Sequence, residues 1–288
     1  MRKDTISAAI TKAADILHKA GIQEGRREAG ILMEFCLGIS REKMLMELQE
    51  ILPQDAANKY FDLVKRRSQN YPLQYITGQQ EFMGLPFKVN PNVLIPRRET
   101  EELVEKVLQS DIKAGANVAD VGTGSGAIAV SLARFRPDLR VFATDIDPQA
   151  LAVARENAGK LDVKIEFFQG DLLKPLILHN IKLDVIVSNP PYISQGEMET
   201  LMPEVKYEPR HALEGGKDGL KYYRRIAFQS SQALAKGGRI FLEIGMTQSA
   251  EVTAILRTAG FQEMQVIKDY QKRDRIVSAV FGGLDNDT

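Results

Sequence analysis

The sequence predicts an α/β protein: a doubly wound, Rossmann-like parallel sheet with a small all-helical N-terminal domain. Three observations predict it. From residue 117 onward, short β-branched apolar runs such as Asn117–Val121 and Leu183–Ser188 alternate with helix-length segments, the pattern of a parallel sheet covered on both faces. The first strands close in small or acidic residues: Gly122-Thr123-Gly124-Ser125-Gly126, then Asp145-Ile146-Asp147, then Gln169-Gly170-Asp171. Residues 1–70, by contrast, carry their apolar residues at helical spacing only.

The helical part reads as four short amphipathic helices. Ile6, Ile10, Ala13, Ala14 and Leu17 recur on one face, and Gly21 is a C-terminal stop. A second helix spans 26–37 and ends at Gly38. Ser40 caps a third carrying Met44, Leu45 and Leu48, and a fourth runs over 54–68 after Pro53 with Tyr60, Phe61 and Val64. Lys65-Arg66-Arg67 reads as a solvated helix end. Such a bundle supplies a binding surface and no catalytic group. Residues 71–96, rich in Pro, Gly and Tyr, read as a linker holding a hairpin of Glu81-Phe82-Met83 against Phe87-Lys88-Val89.

Residues 97–288 form the second domain. A helix over 98–110 leads into the strand Asn117–Val121, and the glycine turn opens a helix over 127–134. Strand 140–144, helix 149–158, strand 163–168 and the strand Leu183–Ser188 follow. After a long loop come helix 222–234, strand 239–244, helix 247–259 and two strands, 263–268 and 275–281, that can close as an antiparallel hairpin.

Composition narrows the function classes. The 288 residues are 44% hydrophobic and 26% charged, ordinary for a globular protein. Lys+Arg and Asp+Glu both number 38, which weighs against gripping long nucleic acid through its phosphates. Cys36, the single cysteine, sits in an apolar run and reads as a core residue, so a reducing, cytoplasmic location is expected. No apolar run reaches the length of a membrane span, and Met1-Arg2-Lys3-Asp4 does not open a secretory signal.

The chemistry centres on Asn189-Pro190-Pro191-Tyr192, directly after a buried strand. Two prolines end the strand and push Asn189 into extended backbone, which fixes the direction of its amide. The Asn189 side-chain oxygen and the Pro190 carbonyl can each accept one N–H of a planar NH2 group, while Tyr192 packs on its flat face. The glycine turn brings backbone N–H groups to a helix N-terminus, and Asp145, 19 residues beyond Gly126, can bind ribose hydroxyls. The turn alone, read as G-x-G-x-x-A, also fits a dinucleotide-dependent dehydrogenase. That reading leaves residues 189–192 unexplained and offers no hydride-transfer acid. A cofactor with ribose, adenine and an amino-acid carboxylate, S-adenosylmethionine, accounts for the glycine turn, Asp145 and Asp171 together.

Asp120-Val121-Gly122-Thr123-Gly124-Ser125-Gly126 with Asn189-Pro190-Pro191-Tyr192 resembles an amino-group methyltransferase. Pro72-Leu73-Gln74-Tyr75-Ile76-Thr77-Gly78, Val93-Leu94-Ile95-Pro96-Arg97-Arg98-Glu99-Thr100-Glu101, and Tyr207-Glu208-Pro209 with Ala212-Leu213-Glu214-Gly215-Gly216-Lys217-Asp218-Gly219-Leu220 narrow it further. Together they resemble the HemK/PrmC type of release factor glutamine methyltransferase over essentially the whole chain. The family usually has proline where this chain has Arg98. The resemblance implies a methyl transfer from S-adenosyl-L-methionine, without a metal, to the side-chain amide nitrogen of the glutamine in the Gly-Gly-Gln motif of class 1 peptide chain release factors. It implies Asn189, Pro190 and Tyr192 as catalytic residues, with Pro191 also binding substrate. Gly122, Thr123, Gly124, Ser125, Gly126, Asp145, Asp171, Leu172 and Asn189 would hold the cofactor, and the helical domain would recognise the release factor. No membrane and no direct nucleic-acid partner is expected. A ribosomal-protein glutamine methyltransferase and an adenine-amine methyltransferase acting on a flipped base are the competing enzymatic readings. A cofactor-sensing adaptor that moves no methyl is the non-enzymatic one. His18, His179 and His211 read as structural or solvated.

Overall fold

A computed structural model of the chain describes residues 4–283. Its residues fall into two compact units. One runs to Gly78 and includes Met202–Tyr207; the other comprises Gln79–Leu201 and the chain from Glu208 on.

In the first unit, α1 (Ile6–Lys19) starts where Thr5 Oγ1 accepts the Ala8 N–H at 3.2 Å. Helix α2 (Gly25–Leu37) ends at Gly38, which takes the left-handed conformation that glycine tolerates. Ser40 caps α3 (Arg41–Met46), and α4 (Gln54–Ser68) follows Pro53. Leu17, Leu32, Met33, Tyr60 and Val64 close the core, with the Tyr60 hydroxyl donating to the Ala29 carbonyl at 2.9 Å. Cys36 is buried there, as expected, and burial pushes its thiol pKa up. The expected solvated end at 65–67 is not solvated at Arg67. That side chain is buried and bridges Glu28 on α2 (Nε–Oε2 2.5 Å) and Glu204 (3.0 Å). A fifth helix, α5 (Leu73–Thr77), closes the unit. Its five residues are too few to show a helical period.

The second unit begins with the hairpin of β1 (Gln79–Phe82) and β2 (Leu85–Lys88), joined through Met83 and Gly84, both at positive φ. Phe82 and Phe87 pack into the core beneath α6 (Arg98–Gln109), so the hairpin belongs to the sheet unit. The sheet then builds through β3 (Asn117–Val121), α7 (Ala127–Phe135), β4 (Arg140–Asp145), α8 (Pro148–Lys160) and β5 (Ile165–Gln169). A short α9 (Lys174–Leu178) precedes β6 (Leu183–Ser188), and α10 (Lys221–Ala233), β7 (Leu234–Glu243), α11 (Ser249–Thr258), β8 (Phe261–Lys268) and β9 (Asp274–Phe281) complete it.

The seven strands lie in the order β5-β4-β3-β6-β7-β9-β8, parallel except where β9 pairs with β7 and β8. Val118, Val185 and Val187 face a core with α6 and α7; Ala119 and Ile186 face the other with α10 and α11. Both sheet faces are therefore buried, which is why β3 and β6 read as continuous apolar runs. The expected terminal hairpin forms, with β9 inserted between β7 and β8. After β3 the chain runs outward to β4 and β5, then returns to place β6 on the other flank of β3. That reversal opens a crevice at the carboxyl ends of β3 and β6. No helix among the described residues is long and apolar enough to cross a membrane.

Candidate active site

The crevice holds the site. At the end of β3, Gly122 (φ 75°) and Gly124 (φ 56°) border it, and a Cβ added at either would meet nothing within 4 Å. A ligand can thus lie close against this backbone, which holds a conformation that suits glycine, while the two N–H groups themselves are bonded to the Thr144 carbonyl (2.9 Å) and to Asp145 Oδ2 (2.8 Å). Gly126 serves packing: a Cβ there would lie 3.1 Å from that of Ala154 on α8. Thr123 and Ser125 are buried behind the turn. The Thr123 hydroxyl donates to Asp120 Oδ2 at 2.6 Å, and the Ser125 carbonyl accepts from Asn157 at 2.8 Å. Gly126, Thr123 and Ser125 do not line the crevice.

At the end of β4, Asp145 accepts the Gly124 N–H on Oδ2 (2.8 Å) and the Asp147 N–H on Oδ1 (2.9 Å). Asp145 lines the crevice, and each carboxylate oxygen retains further acceptor capacity beyond these bonds. Burial raises its pKa against those two backbone bonds. Behind it, the fully buried Asp120 is pushed up to about 7, chiefly by burial, and its Oδ1 has no partner among the described residues. At the end of β5, Gly170, Asp171 and Leu172 line the crevice, with Leu172 held at φ 54°. A non-glycine residue in that region stores roughly 1–2 kcal/mol of strain. Asp171 is engaged by Arg225 and by Lys174 (2.8 Å); burial opposes its charge, but these two cations hold its pKa below the usual range.

Asn189, Pro190 and Pro191 line the same crevice from β6. The Asn189 Nδ2 donates to Thr100 Oγ1 on α6 at 3.0 Å. Tyr192 is placed differently: its ring packs against the core that also holds Tyr223 and Ile244, and burial pushes its hydroxyl up to about 12. The turn is fixed from behind. The Ile193 N–H donates to the Leu213 carbonyl (3.0 Å), the Gly215 N–H to the Ile193 carbonyl (2.7 Å), and the Gln248 amide to the Tyr192 carbonyl (3.0 Å).

Sequence reasoning missed several residues around this crevice. Asn92, Val93 and Leu94 form part of its wall, and the irregular segment that follows them is held by Glu208, which accepts the Ile95 N–H at 3.2 Å and pairs with Arg97. His211, Tyr222 and Arg225 also line it. Glu243 accepts the Thr100 hydroxyl at 2.7 Å. One signal for Glu243 was available: an acidic residue inside an otherwise apolar run.

Residues 8–78 match the PrmC N-terminal domain and residues 99–218 the methyltransferase small domain. The release factor glutamine methyltransferase of Moorella thermoacetica is 45% identical over 275 residues, covering 94% of this chain and 96% of that one. The release factor glutamine methyltransferase of Bacillus subtilis is 42% identical over 285 residues, covering 96% and 98%. Among solved structures, a methyltransferase from Pyrococcus furiosus aligns with a TM-score of 0.53 at 20% identity, over 70% of this chain and 91% of that one. A T. thermophilus 16S rRNA N2 G1207 methyltransferase in complex with AdoMet and guanosine aligns at 0.52 and 19% identity, over 70% and 49%. These two share the fold. With near-complete coverage at such identity to its curated relatives, the chain belongs to the release factor glutamine methyltransferase family.

Proposed function

We propose that this protein transfers a methyl group from S-adenosyl-L-methionine to the side-chain amide nitrogen of the glutamine in the Gly-Gly-Gln motif of class 1 peptide chain release factors. The observation that carries the reading is Asn189, held on a proline-stiffened turn, in the crevice that also contains Asp145 and the open backbone of Gly122 and Gly124.

The crevice fits the cofactor. Gly122 and Gly124 leave room for an amino-acid moiety to approach the backbone, and the Asp145 carboxylate suits the two ribose hydroxyls. Leu172, Ile146 and Ala150 give an apolar surface for a flat purine beside Asp171. Bound there, S-adenosylmethionine supplies an electrophilic methyl group on its sulfonium.

The remaining steps belong to the protein. An amide nitrogen is a poor nucleophile because its lone pair is delocalised, so alignment carries much of the work. Asn189 Oδ1 and the Pro190 carbonyl accept the two N–H bonds of the substrate amide and turn its nitrogen toward the methyl. The same two oxygens stabilise positive charge as it grows on nitrogen. Well-oriented reactants can save roughly 7–11 kcal/mol of barrier. The nitrogen becomes acidic as it is alkylated, so no strong base need act first. A cytoplasmic location completes the reading, supported by a sole cysteine that is buried and unpaired.

Incubation of the protein with methyl-labelled S-adenosylmethionine and an intact class 1 release factor should label the factor. The same factor carrying Gln→Glu in its Gly-Gly-Gln motif should stay unlabelled, and Asn189→Ala should lower transfer on the order of 10²–10³-fold. Label appearing instead in a ribosomal protein or in adenine would overturn the substrate assignment.

A further inference from the structure

We propose that Thr100 and Glu243 are positioning residues that decide which end of the Asn189 amide meets the substrate, and so make the site accept a primary amide and reject a carboxylate. The inference rests on the proposed function and adds the source of its selectivity.

The three residues come from separate elements. Asn189 follows β6, Thr100 lies in the first turn of α6, and Glu243 ends β7. Thr100 is 5% exposed and Glu243 1%. The end of β7 is itself tied down, since the Tyr223 hydroxyl donates to the Glu243 carbonyl at 2.9 Å.

Proton counting fixes the direction of the chain of bonds. A threonine hydroxyl has one hydrogen to give and two lone pairs. The Glu243 Oε2 lies 2.7 Å from Thr100 Oγ1, and in its ionised form the carboxylate only accepts, so in that form the hydrogen goes there. Toward Asn189, Thr100 can then only accept. The atom 3.0 Å away must be the amide NH2. The opposite end of the amide, Oδ1, accepts no hydrogen bond among the described residues and is the end left for a ligand. An oxygen there attracts an N–H donor and repels a carboxylate. Were the hydroxyl missing, or its proton not drawn to Glu243, the amide could turn over and present its NH2 instead. That flipped state would bind the glutamate analogue of the substrate and would misplace the amide nitrogen.

The test uses the full chain as wild type, Thr100→Val, Thr100→Ser and Glu243→Gln. With an intact class 1 release factor, Thr100→Val should lose kcat on the order of 10²-fold, the scale of a small misalignment, and Glu243→Gln, whose amide offers Thr100 either an acceptor or a donor, should fall between it and the wild type, while S-adenosylmethionine affinity stays at the wild-type value. Thr100→Ser keeps the hydroxyl and should restore kcat. The preference of the wild type for the factor over its Gln→Glu form, read as a ratio of binding constants, should collapse in Thr100→Val. Wild-type kcat in Thr100→Val, or a Thr100→Ser no better than Thr100→Val, would overturn the relay. A second measurement needs no substrate. Exchange of the Asn189 side-chain amide protons, followed by NMR in protein labelled at asparagine, should be slow in the wild type and fast in Thr100→Val. Equal exchange overturns the relay even if release factors prove not to be the substrate. A wild type that leaves release factors unlabelled refutes the proposed function, and the exchange rates then decide the relay alone.

Discussion

The buried Glu243 carboxyl makes pH an informative probe of a single residue. Glu243 is pushed up to about 7, first by burial, against the Thr100 hydrogen bond and the positive charges of Arg275 and Arg97; Glu99 adds to the rise. Tyr192 and Tyr223 also face it and are themselves raised by burial. Protonated Glu243 can donate to Thr100 and release the threonine hydrogen toward Asn189. Methyl transfer is therefore expected to fall as pH drops through about 7, and kcat of Glu243→Gln should lack that limb. Stability moves the other way. A carboxyl group whose folded pKa lies above its unfolded value favours the folded state most below the unfolded pKa, and this contribution is lost as pH rises through the folded one. Over roughly pH 4.5–7 the thermal midpoint should decline with rising pH, and less steeply in Glu243→Gln. A wild-type midpoint that climbs across this window would contradict a neutral buried Glu243. Asp145 gives a separate residue-scale expectation. Asp145→Ala should weaken S-adenosylmethionine by about 1.5–3 kcal/mol, the range for hydrogen bonds to a charged group; calorimetric titration reads it directly.

At the scale of elements, the turn after β6 depends on a glycine far along the chain. A Cβ at Gly215 would come within 2.8 Å of both the Pro191 carbonyl and the Tyr192 Cα. This close approach accounts for glycine in the 212–220 run. Gly215→Ala should push the Asn189 turn toward the crevice at a cost of about 1–3 kcal/mol. Its kcat should drop more than its cofactor affinity, and an unchanged kcat would mean the turn yields freely. In the helical unit, Arg67 ties α4 to α2 through Glu28. Removing one partner of a buried pair costs about 3–5 kcal/mol. Arg67→Ala should accordingly lower the urea midpoint, and a shift within error would place that pair among the solvated ones.

For the whole molecule, the question is how one glutamine is chosen among many. On the proposed function the crevice at Asn189 reads an amide, and glutamine amides are common, so selectivity must then draw on contacts remote from the reacting group. The helical unit exposes Leu45 (54%), Met46 (80%) and Ile51 (58%) within a short stretch. Large apolar side chains so exposed suit a protein partner. We expect Met46→Glu to raise KM for the intact release factor while leaving S-adenosylmethionine affinity untouched. Equal KM values would remove this stretch from recognition.

The sequence by itself determined the kinds of element and where the ligand crevice must open. Buried strands announce themselves by β-branched runs, and the prolines after Ser188 stop β6 at a fixed point. Asp145 and the glycine turn were legible for the same reason: each is a local consequence of a strand ending. Short elements were not legible. Five-residue helices such as α5 and α9 carry no period, and the early start of β7 at Leu234 comes with a register shift between Leu183 and Val185 in its pairing with β6. Nor could the sequence show that Tyr192, half-buried, packs against the core, or that Thr123 faces Asp120. The Asn189–Thr100–Glu243 chain of bonds lay furthest out of reach. Its members are 89 and 143 residues apart along the chain, and only the pairing of β6 beside β7, with α6 across their ends, brings them within hydrogen-bond distance. A hydrogen bond depends on a few tenths of an ångström and on direction, and those are set by the packing of the whole sheet.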